Sequence, residues 1–489
     1  MKTNTLDFDA QALREKILDL AMRGKLVPQD PNDEPASVLL EKIKAEKEQL
    51  IKEKKIKKSK PLAPITDDEK PFDIPDSWEW VRLGDVITIL RGGSPRPIKK
   101  YLTDDPQGIN WIKIGDSKPN SKYIEYAAEK IIPEGLSKTR IVSKGDFLLS
   151  NSMSFGRPYI LKINGAVHDG WLILSDYDHL FNKDYLYYLL SSGFINTQFM
   201  NLATGSTVKN LNRERVANTI AVVPPLSEQS RIAAKIAQLF ALLRKVESST
   251  QQYAKLQTLL KSKVLDLAMR GKLVEQDPHD EPASVLLEKI KAEKEQLVKE
   301  GKIKKSKQLP PITDDEKPFD IPDSWEWVRL GDILKPEVHK KPVKDFYYID
   351  IASIDNQYNK VVNPKKVIVK KDKIASRARQ VLENDDILFS VVRPYLRNIA
   401  MVPKDNNYKI GTTGFYVLKP YELINRKYIF CLTLSNYTVT NMTQKMRGDN
   451  SPSIRKSDMQ NLIIPIPPRM EQDKIVNMII RIYSAINLN

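Results

Sequence analysis

Between Ser227 and Arg270 apolar residues recur at steps of three, four and seven: Ile232, Ile236, Leu239, Leu243, Val246, Tyr253, Leu260, Val264 and Leu267. That spacing keeps one face of an α-helix apolar and draws it as a heptad seam, which asks for a partner helix. Pro224–Pro225 precede it, Ser227 is placed as the N-cap and Gly271 as the C-terminal stop. Thr250 and Gln257 fall on seam positions, where polar groups fix register at some cost in stability. At 1.5 Å per residue, some forty residues give a rod of roughly 60 Å. Near the C-terminus Ile475, Ile479, Ile482 and Ile486 repeat the first part of the seam; near the N-terminus Leu6, Leu13, Ile17 and Leu20 repeat the rest. Set end to end, tail and head rebuild a second copy of the rod, with about one position missing at the junction. The expectation is a pseudo-twofold molecule whose chain ends meet within that second rod. The plainer reading is two unrelated amphipathic helices.

Outside the rods the pattern changes to short β-rich runs separated by turns. WIKIG, RIVSKGDFLLS and PYILKING read as strands between residues 87 and 204, and DILFSVVRP, NIAMVP and TGFYVLKP between 334 and 447. KDYLYYLLSSGFINTQF and NRKYIFCLTLSNYTVTNM read as helices behind the sheets. The fold class is therefore α+β: two mixed α/β domains separated by long antiparallel, coiled-coil-like spacer helices, with an internal pseudo-twofold repeat.

The repeat is direct. Lys16–Val86 recurs without a gap at Lys263–Ile333, with about eight differences in roughly 71 positions. Both copies carry LDLAMRGKLV, DEPASVLLEKIKAEKEQL and ITDDEKPFDIPDSWEWVRLGD. Residues 87–204 and 334–447 then diverge, and similarity returns where Gly205–Gln229 lines up with Gly448–Gln472. A period near 240 residues is a duplicated domain unit and not a solenoid. The resulting segments are 1–75, constant helices that complete the second rod with the C-terminus; 76–226, the first variable domain; 227–322, the central spacer; 323–469, the second variable domain; and 470–489, the last spacer helix.

A second helix follows each rod, starting near Pro35–Ser37 and Pro282–Ser284, with Leu39, Leu40, Ile43 and Leu50 on its apolar face. The first copy ends in the basic run KEKKIKKSK, read either as a solvated helix end or as a phosphate contact. Charge sharpens the picture. The net charge is +16 and the isoelectric point near 9.4, which favours a polyanionic partner, nucleic acid first. There is no long apolar span and no signal-peptide core in MKTNTLDFDA, so a cytoplasmic protein is expected. The single cysteine, Cys431, rules out an internal disulfide framework and reads as a small buried hydrophobe.

Several loops in the variable domains combine glycine, hydroxyls, amides and arginine. Arginine can read guanine and asparagine adenine through paired hydrogen bonds, while serine, threonine and lysine mainly hold phosphates. In the first domain the candidates are Ser94, Arg96, Lys99, Lys100, Ser152, Ser154, Arg157, Ser206, Thr207, Lys209, Asn210 and Asn212. In the second they are Arg377, Arg379, Arg393, Arg397, Thr412, Thr413, Arg447, Asn450, Ser451 and Arg455. For each, turn geometry or plain solvation is the competing role.

Motifs for chemistry are missing. There is no GxxxxGK[ST] phosphate loop, no GxSxG elbow around Ser152, and no metal-ligand spacing among His168, His179, His279 and His339. The acidic stretches DPNDEP and TDDEKPFDIPD sit in Pro-rich connectors and read as turns and caps. Trp78, Trp80, Trp325 and Trp327 read as core anchors opening each variable domain, ahead of base-stacking platforms. No catalytic residue, metal or cofactor site is assigned.

IPDSWEWVRLGD opening each variable domain, VPPLSEQSRIAAKI and IPPRMEQDKIV closing them, and LAMRGKLV with its following helix together resemble the specificity subunits (HsdS) of type I restriction–modification systems. The resemblance covers essentially the whole chain. It implies two target-recognition domains, each reading half of a bipartite DNA site, with helical spacers setting the unread gap. It implies two methyltransferase (HsdM-like) subunits, which bring S-adenosylmethionine and methylate an adenine in each half-site, and motor–nuclease (HsdR-like) subunits with ATP and Mg. The chain itself would be non-catalytic and carry no cofactor. Two rival readings stand beside this one. The first is a fused methyltransferase–nuclease, which would need an Asn/Asp-Pro-Pro-aromatic motif that VPPL, LPPI and IPPR do not supply. The second is a stand-alone DNA-binding or adaptor protein of restriction-system ancestry.

Overall fold

The computed structural model describes residues 9–53, 62–119, 121–151, 155–202, 211–305 and 308–487. The described chain divides into two compact units, residues 9–250 and residues 251–487. The first unit contains helices α1 (Ala10–Met22) and α2 (Ala36–Lys52), a head with α3 (Lys183–Leu190) and α4 (Gly193–Leu202), and the first part of the long helix α5 (Leu226–Met269). The second contains the rest of α5, then α6 (Ala283–Lys299), a head with α7 (Arg426–Leu434) and α8 (Asn436–Gln444), and α9 (Arg469–Asn487).

The long helix begins one residue earlier than its expected cap. The Gln229 amide already donates to the Pro225 carbonyl at 2.9 Å, so Leu226 is helical. Ser227 is therefore not the N-cap; its hydroxyl donates to Asp33 Oδ1 at 2.5 Å. The other end is the stop read from Gly271. Lys272 N donates to Leu267 O at 2.9 Å, and Gly271 takes φ +66°, the left-handed turn that closes a helix with a six-to-one bond. A β-carbon on Gly271 would come within 2.3 Å of the Pro322 ring. Gly271→Ala is therefore expected to destabilise the second unit by roughly 3 kcal/mol, from left-handed strain plus overpacking, read as a lower denaturation midpoint.

Each unit closes part of the seam with an antiparallel helix. In the first, Ile232 and Ile236 are fully buried against Leu18, Ala21 and Met22, with Ile17 alongside. Arg14 pairs with Glu247 at 2.5 Å at the far end of that contact. In the second, Val264, Leu265, Ala268 and Met269 share a core with Ile475, Val476 and Ile479, flanked by Ile482 and Tyr483. The Tyr483 hydroxyl donates to Lys261 O at 3.0 Å, and Gln257 Nε2 donates to Ile486 O at 2.8 Å. Leu20, Leu239, Leu243, Leu267 and Ile486 are half-buried. Val246, Tyr253, Leu260 and Leu13 depart from the expected buried seam, remaining 41–48% exposed. For Tyr253 the reason is reach: the last tie of α1 is at Glu247 and the last tie of α9 is at Gln257, and Tyr253 falls in the turns between, while Leu13, Val246 and Leu260 lie close to those last ties. Leu6 lies outside the described residues, as does most of the basic run after α2.

Each head is pinned at its base by an antiparallel strand pair joining the two repeated motifs: Glu79–Arg82 with Ile220–Val223, and Glu326–Arg329 with Ile463–Ile466. Beyond it lie two sheets. In the first head, Gly165–Val167 runs between Ile109–Ile112 (parallel) and Arg140–Val142 (antiparallel), while Trp171–Ser175 lies between Thr88–Arg91 and Phe147–Ser150. In the second, Lys409–Thr412 runs between Phe346–Ile349 (parallel) and Ala378–Leu382 (antiparallel), while Phe415–Leu418 pairs with Ile387–Ser390. The heads share topology although their sequences have diverged. RIVSKGDFLLS is two strands, Arg140–Val142 and Phe147–Ser150, separated by a turn in which Gly145 takes φ +103°. The helical stretches are likewise each two helices, broken at Ser191–Ser192 and at Ser435.

Candidate nucleic-acid interface

In the first head the loop Arg91–Lys100 and the start of the hairpin after Ser150 converge on one turn, His168–Gly170. Gly92 and Gly93 allow this approach, since a β-carbon on Gly92 would meet His168 O at 2.2 Å. The Ser94 hydroxyl donates to Asp169 Oδ1 at 2.8 Å, Arg91 Nε to Asp169 O at 3.3 Å, and Asn151 Nδ2 to the same carbonyl at 2.8 Å. Burial opposes the charge on Asp169, but the Ser94 hydroxyl, His168, Arg91 and Arg96 outweigh it and hold its carboxyl below the ordinary range. Arg96 is 82% exposed and sits 3.7 Å from Asp169. Lys99 and Lys100 point outward from a single turn. Between Lys99 and Trp111, Lys113, Glu129 and His168 opens a cleft of about 870 Å³. Arg157 is exposed. Asn212 is a helix cap, since its side chain accepts from Arg215 N at 2.9 Å and so closes the start of the short helix Arg213–Asn218. Ser152, Ser154, Ser206, Thr207, Lys209 and Asn210 lie outside the described residues.

In the second head four loops are stitched together through their backbones. Thr413 N donates to Arg377 O, Val391 N to Gly414 O, Ile454 N to Val391 O and Arg393 N to Pro452 O, each at 2.9 Å. Arg377, Arg379, Arg393, Asn450, Ser451 and Arg455 are exposed there. Arg447 is exposed but ion-paired with Asp458 at 2.7 Å. Two candidates face inward instead. Thr412 is buried, and its hydroxyl accepts from Gly414 N at 3.3 Å. The Arg397 guanidinium donates to Leu434 O and Asn436 Oδ1, each at 2.5 Å, so it holds the loop against the α7–α8 corner. Thr413 is half-buried. The same stitching recurs in the first head, where Asn151 N donates to Gly170 O and Leu211 N to Asn151 O. The turn His168–Gly170 and Asn151 tie these loops together, a role that the candidate residues read from the sequence do not include. The Asp-Gly pair at 169–170 was the available signal.

The Glu-Gln pair that ends each closure motif is a latch. Glu228 is buried and accepts from Trp78 Nε1 at 2.9 Å and Gln29 Nε2 at 2.6 Å; Glu471 accepts from Trp325 Nε1 at 2.9 Å and Gln276 Nε2 at 2.7 Å. Gln229 accepts from Asn182 N at 2.7 Å and Gln472 from Asn425 N at 2.8 Å. Arg82 and Arg329 each grip a glutamate, Glu69 and Glu316, at 2.9 Å. The latch fastens each head to its own helix with residues that the repeat preserves. No group of three or more His, Cys, Asp and Glu among the described residues is placed to hold a metal ion. Burial pushes the Cys431 thiol up to about 12, which leaves it unreactive. No helix among the described residues is long and apolar enough to cross a membrane.

The family model described as the type I restriction modification DNA specificity domain matches this chain twice, at residues 75–257 and 322–489. The chain belongs to this family. Each match takes in one head with its Trp-Glu pair, Trp78–Glu228 or Trp325–Glu471, and runs on into the helix beyond. Among relatives, the type I restriction enzyme EcoAI specificity subunit of Escherichia coli is 32% identical, over 96% of this chain and 88% of that one. The EcoEI specificity subunit, also of Escherichia coli, is 36% identical over 67% of this chain and 62% of that one. In fold the chain resembles the HsdS subunit from Thermoanaerobacter tengcongensis, with TM-score 0.52 and 20% identity, covering 85% of this chain and 92% of that one. A second structure, reported for complex assembly and conformational transition of the type I R-M system, gives TM-score 0.54 at 20% identity, with the same coverage.

Proposed function

We propose that this chain is the DNA sequence-specificity subunit of a type I restriction–modification enzyme, without catalytic activity of its own. Each head reads one half of a bipartite site through its stitched loops, and the helices set the unread gap. The observation that carries this reading is a repeat that keeps the latch and helices and varies the loop surface. A ligand with two different halves, held by a machine with two equal halves, calls for that division. The loops supply the chemistry: in the second head Arg377, Arg379, Arg393 and Arg455 stand exposed on them with Asn450, fitting phosphate attraction and the reading of base edges. Two methyltransferase subunits dock on the repeated helices and bring S-adenosylmethionine; motor–nuclease subunits bring ATP and Mg. The complex works in the cytoplasm.

The test is a genome-wide map of N6-methyladenine in the host, with the gene intact and deleted. The expected result is one split motif, two short fixed halves around an unread gap, that loses methylation on deletion. If no motif depends on the gene while its methyltransferase partner is expressed and active, the proposal fails, and a stand-alone DNA-binding or adaptor role takes its place.

A further inference from the structure

In the second head the loop between strands Ile387–Ser390 and Ile399–Met401 makes a tight turn, Pro394–Leu396, flanked by two residues in a conformation that side chains rarely adopt. Arg393 has φ 47° and Arg397 φ 53°. Neither is glycine, so the strain must be held in place by the surroundings. It is held on every side. Arg393 N and its guanidinium donate to Pro452 O at 2.9 Å and Asn450 O at 3.0 Å. Arg397 is fixed to Leu434 and Asn436. Asn356 Nδ2 donates to Leu396 O at 2.8 Å, and Asn359 Nδ2 to Ile399 O at 3.1 Å. All this fixed structure leaves two apolar side chains outside the core: Tyr395 is 47% exposed and Leu396 41%.

We propose that Tyr395 and Leu396 form a rigid stacking wedge that engages bases of the half-site read by the second head. This rests on the function proposed above. Three observations choose a base as the occupant. The turn is bonded through Arg393 to the loop Arg447–Lys456, and Arg393, Arg447 and Arg455 are exposed there, so the apolar tip has a cationic rim on that side. Such a surface suits a nucleic acid, whose phosphates meet the rim while its flat bases meet the ring. The tip also lies in the part of the chain that the repeat does not preserve. The first head also has Arg157-Pro158-Tyr159 after Ser150, but there Pro158 and Tyr159 lie in the strand Pro158–Leu161 and Tyr159 is buried. A protein partner that served both halves alike would need the repeated residues, whereas a half-site differs from head to head. Finally, the bonds on both sides of the turn fix the backbone that carries the ring before any ligand arrives, which lowers the ordering cost of stacking.

The experiment uses the full chain assembled with its methyltransferase subunits and a duplex carrying the mapped site. 2-Aminopurine is placed at successive positions of the second half-site. The wild type is expected to change the fluorescence at least about two-fold at one position or at two adjacent ones. Tyr395→Ala should abolish that change and weaken binding about ten-fold, as expected for one lost base stack. Tyr395→Phe should restore both, since the ring alone stacks, and Leu396→Ala should reduce the fluorescence change. All variants should melt with the wild type, because these side chains lie outside the core. If Tyr395→Ala binds within two-fold of wild type and the fluorescence is unchanged, the wedge is refuted while the specificity reading stands. If it instead loses the methyltransferase subunit in the absence of DNA, the surface is a protein contact and the wedge is again refuted. If the wild type itself does not discriminate the second half-site, the underlying function fails, and the wedge with it.

Discussion

Replacing Glu471 by alanine is expected to cost the second unit about 3 kcal/mol, because two donors aimed at a buried carboxylate would lose their acceptor together. Trp325 Nε1 at 2.9 Å and Gln276 Nε2 at 2.7 Å both converge on it, and Glu471 is only 1% exposed. Gln276 lies at the surface, where water can take up its bond, but the buried Trp325 indole N–H is left unpaired in the core. For a unit of this size the melting transition should fall by roughly 6–12 °C. Glu228→Ala should do the same to the first unit through Trp78 and Gln29. Scanning calorimetry of the full chain measures both, and a loss below about 1 kcal/mol, the net worth of one ordinary hydrogen bond, would show that the carboxylate is not the tie. Acidity supplies a second readout. Burial raises the pKa of Glu471 despite its hydrogen bonds to Trp325 and Gln276. A carboxyl raised in the folded state contributes its stability below the unfolded value and loses it as pH rises through the folded value. Wild type should therefore lose ground against Glu471→Gln as the pH climbs from the ordinary glutamate value, and an unchanging difference would contradict the assigned shift.

The parts of this molecule legible in the sequence are those where spacing or repetition carries information. The rod could be read because Ile232, Ile236, Val264 and Leu267 keep helical phase over many turns. Gly271 could be placed as its end because only a left-handed residue closes a helix in that way. The strands of both heads follow from β-rich runs between turns. The latch was hidden for a physical reason. Glu471 and Trp325 lie 146 positions apart and meet only when the strand pair Glu326–Arg329 and Ile463–Ile466 is formed. Repetition marked both residues without saying that they touch. The loops were partly legible. Their composition picked the surface, but arginine looks the same in sequence whether its guanidinium is exposed, as at Arg393, or tied to a helix corner, as at Arg397. The strained turn around Tyr395 had no sequence signal, since neither flanking residue is glycine or asparagine.

The largest functional effect is expected from exchanging a whole head. Residues 87–204 carry the varied sheets and loops of the first head, while Trp78, Arg82, Glu228 and Gln229, the residues that fasten it, lie outside that span and recur in the second copy as Trp325, Arg329, Glu471 and Gln472. A replacement taken from another family member should therefore seat on the same strand pair and the same latch. The helices are untouched, so the gap should stay the same length. Methylation should move to a new motif in which one half differs and the other half and the spacing are kept. Methylome mapping of a strain carrying the hybrid reads all three features at once. A change in both halves would mean that the two loop surfaces read DNA jointly, and a change in spacing would mean that the heads, and not the helices, set the gap.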